Sequence, residues 1–213
     1  MIKVIFFDFD GVIVESVDIK TNAFAELFEQ EGGDIVKKVV DYHLKNTGVS
    51  RYEKFRYIYE EILNSPLTEN EFKILCDKFA NLVVESVIKA PYVKGIKEFL
   101  ENYSARYKCF VVSATPQKEI EEIIQKRNIS HFLKAVYGAP TKKSDAVKEV
   151  RMQENIDSHD AVYIGDALSD YEAATSNAVK FIARTHNNES IFEAIDCIKL
   201  NDLSNLEKIL AGL

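Results

Sequence analysis

The chain has 213 residues, which suits one domain of ordinary size or a core domain carrying an insert, and its 46% apolar and 29% charged residues are normal for a globular protein that builds its own core. The excess of 34 acidic over 27 basic residues gives a net charge of −7, which argues against wrapping nucleic acid or lying on an anionic membrane but leaves room for an anionic small molecule at a local positive patch. Cys76, Cys109 and Cys197 are odd in number and lack paired spacing, which points to a reducing compartment and away from a disulfide framework or a zinc site.

The opening MIKVIFFDFDGV has one lysine and a short apolar run cut off by aspartates, so it reads as neither a secretory signal nor a membrane span, and a cytoplasmic protein is expected. Residues 3–8 (KVIFFD) are β-branched and aromatic and stop before a glycine, the pattern of a buried strand. The pattern returns at Cys109–Ser113, Ala161–Gly165 and Val179–Ala183, and more weakly at Ala135–Tyr137. Helices are predicted between them, over Lys118–Lys126, Ser144–Glu154 and Ser169–Ser176. Strands alternating with helices imply parallel βαβ units, whose ligands sit at the carboxyl ends of the strands.

Residues 17–90 break this rhythm. Three helical stripes replace the strands: Ala23, Phe24, Leu27 and Phe28; Phe55, Ile58, Tyr59 and Ile62; and Phe72, Leu75, Phe79, Leu82 and Val83. Gly32-Gly33 and Ser65-Pro66 mark turns among them. The expected fold class is therefore α/β, a Rossmann-like doubly wound parallel sheet built from residues 1–15 and 91–213, with a helical domain over 16–90 inserted after the first strand.

The strand ends carry the candidate chemistry. In FFDFDGVIVES, Asp8 and Asp10 fall on one side of an extended chain. Two carboxylates so placed repel unless one is protonated or a cation lies between them, although an aspartate before a glycine also suits a plain turn. The second strand ends VVSATP and brings Ser113, which alone would serve as a turn or cap residue. GAPTKKSDAV brings Lys142 and Lys143 to a helix start, where a lysine pair is commonly solvated surface. YIGDALSD brings Asp166, a plausible N-cap, and Asp170, a plausible solvated helix residue. Acids, a hydroxyl and a lysine on one sheet edge, with no histidine beside them in sequence, favour a hard oxygen-ligated cation such as Mg²⁺.

These four stretches, in this order and at these intervals, resemble the four motifs of the haloacid dehalogenase superfamily, in the branch with a helical cap after the first strand, along phosphoglycolate phosphatase and β-phosphoglucomutase relatives. The resemblance covers nearly the whole chain. It implies that Asp8 is the nucleophile and Asp10 the general acid/base, kept protonated by its surroundings, and that Ser113 holds a phosphoryl oxygen. It implies Lys143, with Lys142 as the fallback, as the active-site lysine, and Mg²⁺ held by Asp8, the backbone carbonyl of Asp10 and Asp166, with Asp170 ligating or orienting water. Backbone N–H groups near Phe9 and Ala114, with Lys143, would receive the phosphoryl group. An acid at position 10 implies phosphoryl transfer rather than dehalogenation. Glu15 stands where relatives often have aspartate, Lys20 where several have histidine, and Asn177 where a glycine is common.

The stretch HLKNTGVSRYEKF, residues 43–55, is similar to the cap segment that closes over sugar phosphate in β-phosphoglucomutase, which implies Lys45, Ser50 and Arg51 as substrate contacts with Lys20 at the cap entrance. Ser50 also suits an N-cap completed by Glu53, and Arg51 a surface residue. The expected activity is Mg²⁺-dependent hydrolysis of a small phosphorylated metabolite, a sugar phosphate or a phosphoglycolate-like ester, through an aspartyl-phosphate. A hexose phosphomutase is the alternative, disfavoured by Lys20, and a non-catalytic phosphate-binding module is a third. No nucleic-acid or membrane partner is expected, and a monomer is compatible with the sequence.

Overall fold

The computed structural model describes residues 1–186 and 191–213. Its sheet has six parallel strands in the order β3-β2-β1-β4-β5-β6, where β1 is Val4–Phe7, β2 Lys108–Pro116, β3 Ala135–Ala139, β4 Ala161–Gly165, β5 Lys180–Arg184 and β6 Ile198–Leu200. The central β1 reads VIFF and is buried throughout, as a strand covered on both faces must be. Its residues divide with a period of two: Ile5 and Phe7 join one core, Val4 and Phe6 the other.

Helices fill both faces, making the sheet doubly wound. On the Val4 and Phe6 side, α7 (Lys143–Gln153) contributes Ala146, Val147 and Val150, and α8 (Leu168–Ser176) contributes Ala173 and Ala174. On the other side lie α5 (Ile96–Tyr103), α6 (Gln117–Lys126) and α9 (Leu206–Ala211), through residues such as Phe99, Ile120 and Leu206. The predicted strands and the three predicted core helices are present within one residue, except that β2 runs three residues further and β3 two. The sequence reading omitted β6, whose three residues are too short to alternate convincingly, and the short helices α5 and α9.

The same core runs on into the helical insert. Here α1 spans Val17–Leu27, α2 Gly33–Lys45, α3 Arg51–Tyr57 with a π turn over Ile58–Ile62, and α4 Glu69–Lys89. Phe24 sits at their centre, its ring centroid 4.7 Å from that of Phe79 and 5.6 Å from that of Phe55. Each predicted stripe lies on one of these helices, while α2, with buried Val39 and His43, was not foreseen. A capping box starts α4: Glu71 N–H donates to Thr68 Oγ1 at 3.3 Å and Thr68 N–H to Glu71 Oε2 at 3.0 Å. Although α4 is 21 residues long, no described helix is long and apolar enough to cross a membrane.

The two chain crossings between sheet and insert pair with each other. Glu15 N–H donates to Pro91 O at 3.0 Å and Val93 N–H to Ile13 O at 3.0 Å. Arg127, after α6, donates to the carbonyls of Val87, Ile88 and Ala90 at 2.6–2.9 Å and lies over the Tyr92 ring. One core cation thus ties down the end of α4, whose last carbonyls have no partner within the helix. Just beyond, Gly95 has φ +90°, and a Cβ there would lie 2.3 Å from Ser204 N. Gly95→Ala therefore costs about 2–3 kcal/mol. A lowered denaturant midpoint at unchanged m-value is the expected result.

Candidate active site

The carboxyl ends of β1, β2 and β4 converge with the start of α7. Asp8 continues the sheet by one hydrogen bond, its N–H donating to Ile164 O at 2.9 Å, and so places its side chain at the strand edge. The chain then turns through Gly11, at φ +77°. A Cβ on Gly11 would lie 2.1 Å from Asp166 Oδ2, so only glycine lets the loop after β1 approach the loop after β4.

Asp8, Asp166 and Asp170 are buried, and one oxygen from each lies within 4.8 Å of the others. Lys143 supplies the ammonium between two of them, with Nζ 2.9 Å from Asp8 Oδ2 and 2.7 Å from Asp170 Oδ1. Lys142 is exposed at the N-cap position of α7, so the geometry separates the two candidate lysines in favour of Lys143. Burial, then the charge of Asp170, pushes Asp8 up to about 7 even against Lys143. Burial likewise raises Asp166, opposed by the hydrogen bond from His186, and Asp170, opposed by Lys143. Burial would lower Lys143, but the charges of Asp170 and Asp8 outweigh it and hold the ammonium firmly protonated.

This donor set fits a hard divalent cation: three buried carboxylates, each disfavoured as an anion, with oxygen ligands only. Both oxygens of Asp170 are engaged, by Lys143 and by Ala167 N–H at 3.1 Å, and both of Asp8, by Phe9 N–H and Lys143, whereas His186 meets only Oδ2 of Asp166. The carboxylate of Asp10 lies outside this group. It accepts from Ser16 Oγ at 2.6 Å, from Thr115 Oγ1 at 3.1 Å and from Lys20 Nζ. Burial would raise its pKa, but the Lys20 charge and these hydrogen bonds outweigh that and hold the carboxyl below its ordinary value. The expectation of a protonated Asp10 is thereby corrected: Lys20, in place of a neutral or weakly basic neighbour, keeps it ionised.

Ser113 is buried at the rim of a cleft of about 590 Å³ between the insert and the sheet, where its Oγ accepts from Thr115 N–H at 3.1 Å. Phe9 N–H donates to Asp8 Oδ1 at 2.7 Å, and Ala114 borders both that cleft and a smaller inner cavity of about 40 Å³. The inner cavity is lined by Asp8, Asp10 and Asp166 below and by Lys20, His43, Arg51 and Lys54 of the insert. Of the predicted contacts, Arg51 reaches it, but its guanidinium is paired with Glu119 of α6 and lies 4.4 Å over the Phe79 ring. Ser50 acts as the N-cap of α3, accepting from Glu53 N–H, and lines only the outer cleft. Lys45 is exposed and lines neither space. The insert's buried ammonium is instead Lys54, three residues after Arg51 and so on the same helical face.

Thr115, Ser16 and His186 were also missed. Thr115 follows Ser113 by two residues on the same strand, and Ser16 ends the very stretch that carried Asp8 and Asp10. His186 lies just past β5, with Nε2 2.9 Å from Asp166 Oδ2, and Arg184 joins that histidine to Glu15 at 2.6 Å. The strand-end rule would have found it. The altered acid at position 15 thus finds a partner within the same sheet edge.

Without a bound cation, the raised pKa of Asp8 makes folding stability fall as pH climbs. A carboxyl at about 7 in the folded protein holds its proton where the unfolded chain, near 3.8, has lost it. Stability is then fullest below the unfolded value and declines until pH passes about 7. Asp10 acts oppositely, but only in the acid range. His43, held down to about 2, and Lys54, at about 7, act oppositely across this range, so the Asp8 contribution is read as a difference: the thermal midpoint of the wild type minus that of Asp8→Asn, both in chelator, should decrease from about pH 5 to about pH 8.

The chain matches the family described as haloacid dehalogenase-like hydrolase over residues 5–184. Its fold is shared with solved structures of low identity. A predicted phosphoglycolate phosphatase from Haemophilus somnus superposes with a TM-score of 0.77 at 21% identity, over 98% of this chain and 97% of that one. A β-phosphoglucomutase from Clostridium difficile gives 0.79 at 20%, over 99% and 96%. The HAD hydrolase YfnB from Bacillus subtilis, bound to magnesium, gives 0.74 at 14%, over 99% of both chains. With the family match covering most of its length, and the strand-end acids placed as described, the chain belongs to the haloacid dehalogenase-like hydrolases.

Proposed function

We propose that the protein is a Mg²⁺-dependent phosphatase of a small phosphorylated metabolite. The observation that carries this reading is the buried contact of Asp8 with Lys143, set among acids that only a cation would reconcile. Asp8 and Asp166 would hold Mg²⁺ with the Asp10 carbonyl, and Asp170 would orient its surroundings. Bound there, Mg²⁺ offsets the charge of the phosphate dianion and of its transition state.

The chain's own residues supply the rest. Lys143 neutralises Asp8 enough for an anionic ester to approach and orients its free lone pair. Asp8 Oδ attacks phosphorus in line, the bond to the leaving oxygen breaks, and an aspartyl-phosphate forms. The leaving oxygen needs a proton, and the Lys20–Asp10 pair carries one on the Lys20 ammonium. Passed to that oxygen through Asp10, it is regained in the second step, when the ionised Asp10 takes a proton from the water that attacks the aspartyl-phosphate. Ser113 and backbone N–H groups at Phe9 and Ala114 steady the phosphoryl oxygens, which requires Phe9 N–H to turn from Asp8 to the ligand. Inserted helices over residues 16–90 form the cap that excludes water above this chemistry.

The test is a phosphate-release screen over phosphorylated metabolites with Mg²⁺. Asp8→Asn should reduce kcat at least about 1,000-fold, and chelation should abolish release. Turnover that survives either change would overturn the proposal.

A further inference from the structure

Four cations of this chain surround the path from cleft to catalytic aspartates, and three are matched. Lys20 meets Asp10, Arg51 meets Glu119, and Lys143 meets Asp8 and Asp170. Lys54 is the exception. It is 2% exposed and lines the inner cavity, yet among the described residues it pairs with no carboxylate. Its Nζ lies 2.9 Å from His43 Nδ1, 3.4 Å from Thr47 O and 5.5 Å from the Phe24 ring centroid. A buried ammonium without a counter-ion is costly, and proteins seldom keep one without a use.

The histidine beside it is unsatisfied as well. Burial, then the Lys54 charge, pushes His43 down to about 2, so its ring is neutral. With Nδ1 accepting from the ammonium, the ring proton belongs on Nε2, and that atom is buried with no partner. His43 lines the same cavity. An ammonium without a carboxylate partner and a ring N–H without any partner therefore stand beside one enclosed space.

We propose that Lys54 anchors a second anionic group of the substrate, so that the site takes a small phosphomonoester carrying a carboxylate a few bonds from its phosphate. This inference rests on the phosphatase reading of the same cavity. Arg51, the obvious alternative anchor, is already held by Glu119. A volume of about 40 Å³ holds about three waters, which fits a carboxylate on a short chain beside Lys54. The walls of Phe24 and Phe79 exclude water and strengthen the pairing. Burial, with the charges of Lys20 and Lys143, pulls the unpaired Lys54 down to about 7, and a carboxylate against it would reverse that shift.

Three ligands separate the possibilities by their second group: phosphoglycolate with a carboxylate, hydroxyethyl phosphate with an uncharged hydroxyl, and ethanediol bisphosphate with a second phosphate. With Mg²⁺ present, kcat/KM of the wild-type enzyme should favour phosphoglycolate over hydroxyethyl phosphate by about 10- to 100-fold, the range of a charge-assisted hydrogen bond. That ratio should approach one in Lys54→Met and persist largely in Lys54→Arg. Equal kcat/KM for phosphoglycolate and hydroxyethyl phosphate in the wild type overturns the anchor even if the Met variant fails to fold. A preference untouched by Lys54→Met also overturns it, and a preference for the bisphosphate replaces the carboxylate by a second phosphate. No hydrolysis of these or any other phosphomonoester overturns the phosphatase reading and the anchor with it.

Discussion

Three carboxylates and one ammonium share a buried space at the edge of the sheet, and most of the site follows from that crowding. Asp8, Asp166 and Asp170 stay within reach of one another only because Lys143 lies between two of them and His186 touches the third. Even so, burial and mutual repulsion leave each carboxyl harder to ionise than in water. The protein carries this cost at the functional edge of a fold whose two cores are otherwise apolar. A strong need for positive charge is thereby built into the empty arrangement, and a divalent cation together with an anionic ester answers it.

The insert faces the same electrostatics from above. Lys20 reaches down to Asp10 and Thr115, Arg51 crosses to Glu119 of α6, and Ser169 donates to the Gly48 carbonyl at 3.0 Å. These contacts tie insert to sheet by side chains next to the cavity, whereas the paired crossings and Arg127 tie it through backbone groups. Asp10 is the residue on which both halves act. Its backbone belongs to the turn after β1, and its charge is governed by a lysine of α1.

Much of this was legible in the sequence. The alternation of short apolar runs with amphipathic helices specified the parallel sheet, because a buried parallel strand such as VIFF has no polar face to confuse with anything else. Acids at the ends of such runs pointed to the site, since strand ends fix where side chains go. What escaped depends on packing between elements distant in sequence. Lys45 and Lys54 are equally basic on paper, and only the rotation of α2 and α3 decides that one is exposed and the other enclosed. Ser50 and Glu53 spell a capping box, and the cap geometry, not the ligand, claims that hydroxyl. The charge state of Asp10 turned on where Lys20 could reach, a tertiary fact that no spacing reveals.

The central claim is that the acid cluster is made for a cation and is partly protonated without one. Calorimetric titration of the chelator-treated protein with Mg²⁺ near pH 7, repeated in buffers of different ionisation enthalpy, measures both binding and proton release. The account predicts a single ion bound per chain with release of a fraction of a proton, largely from Asp8, and loss of that binding in Asp166→Asn. Absence of binding, or binding with no proton released, would contradict it.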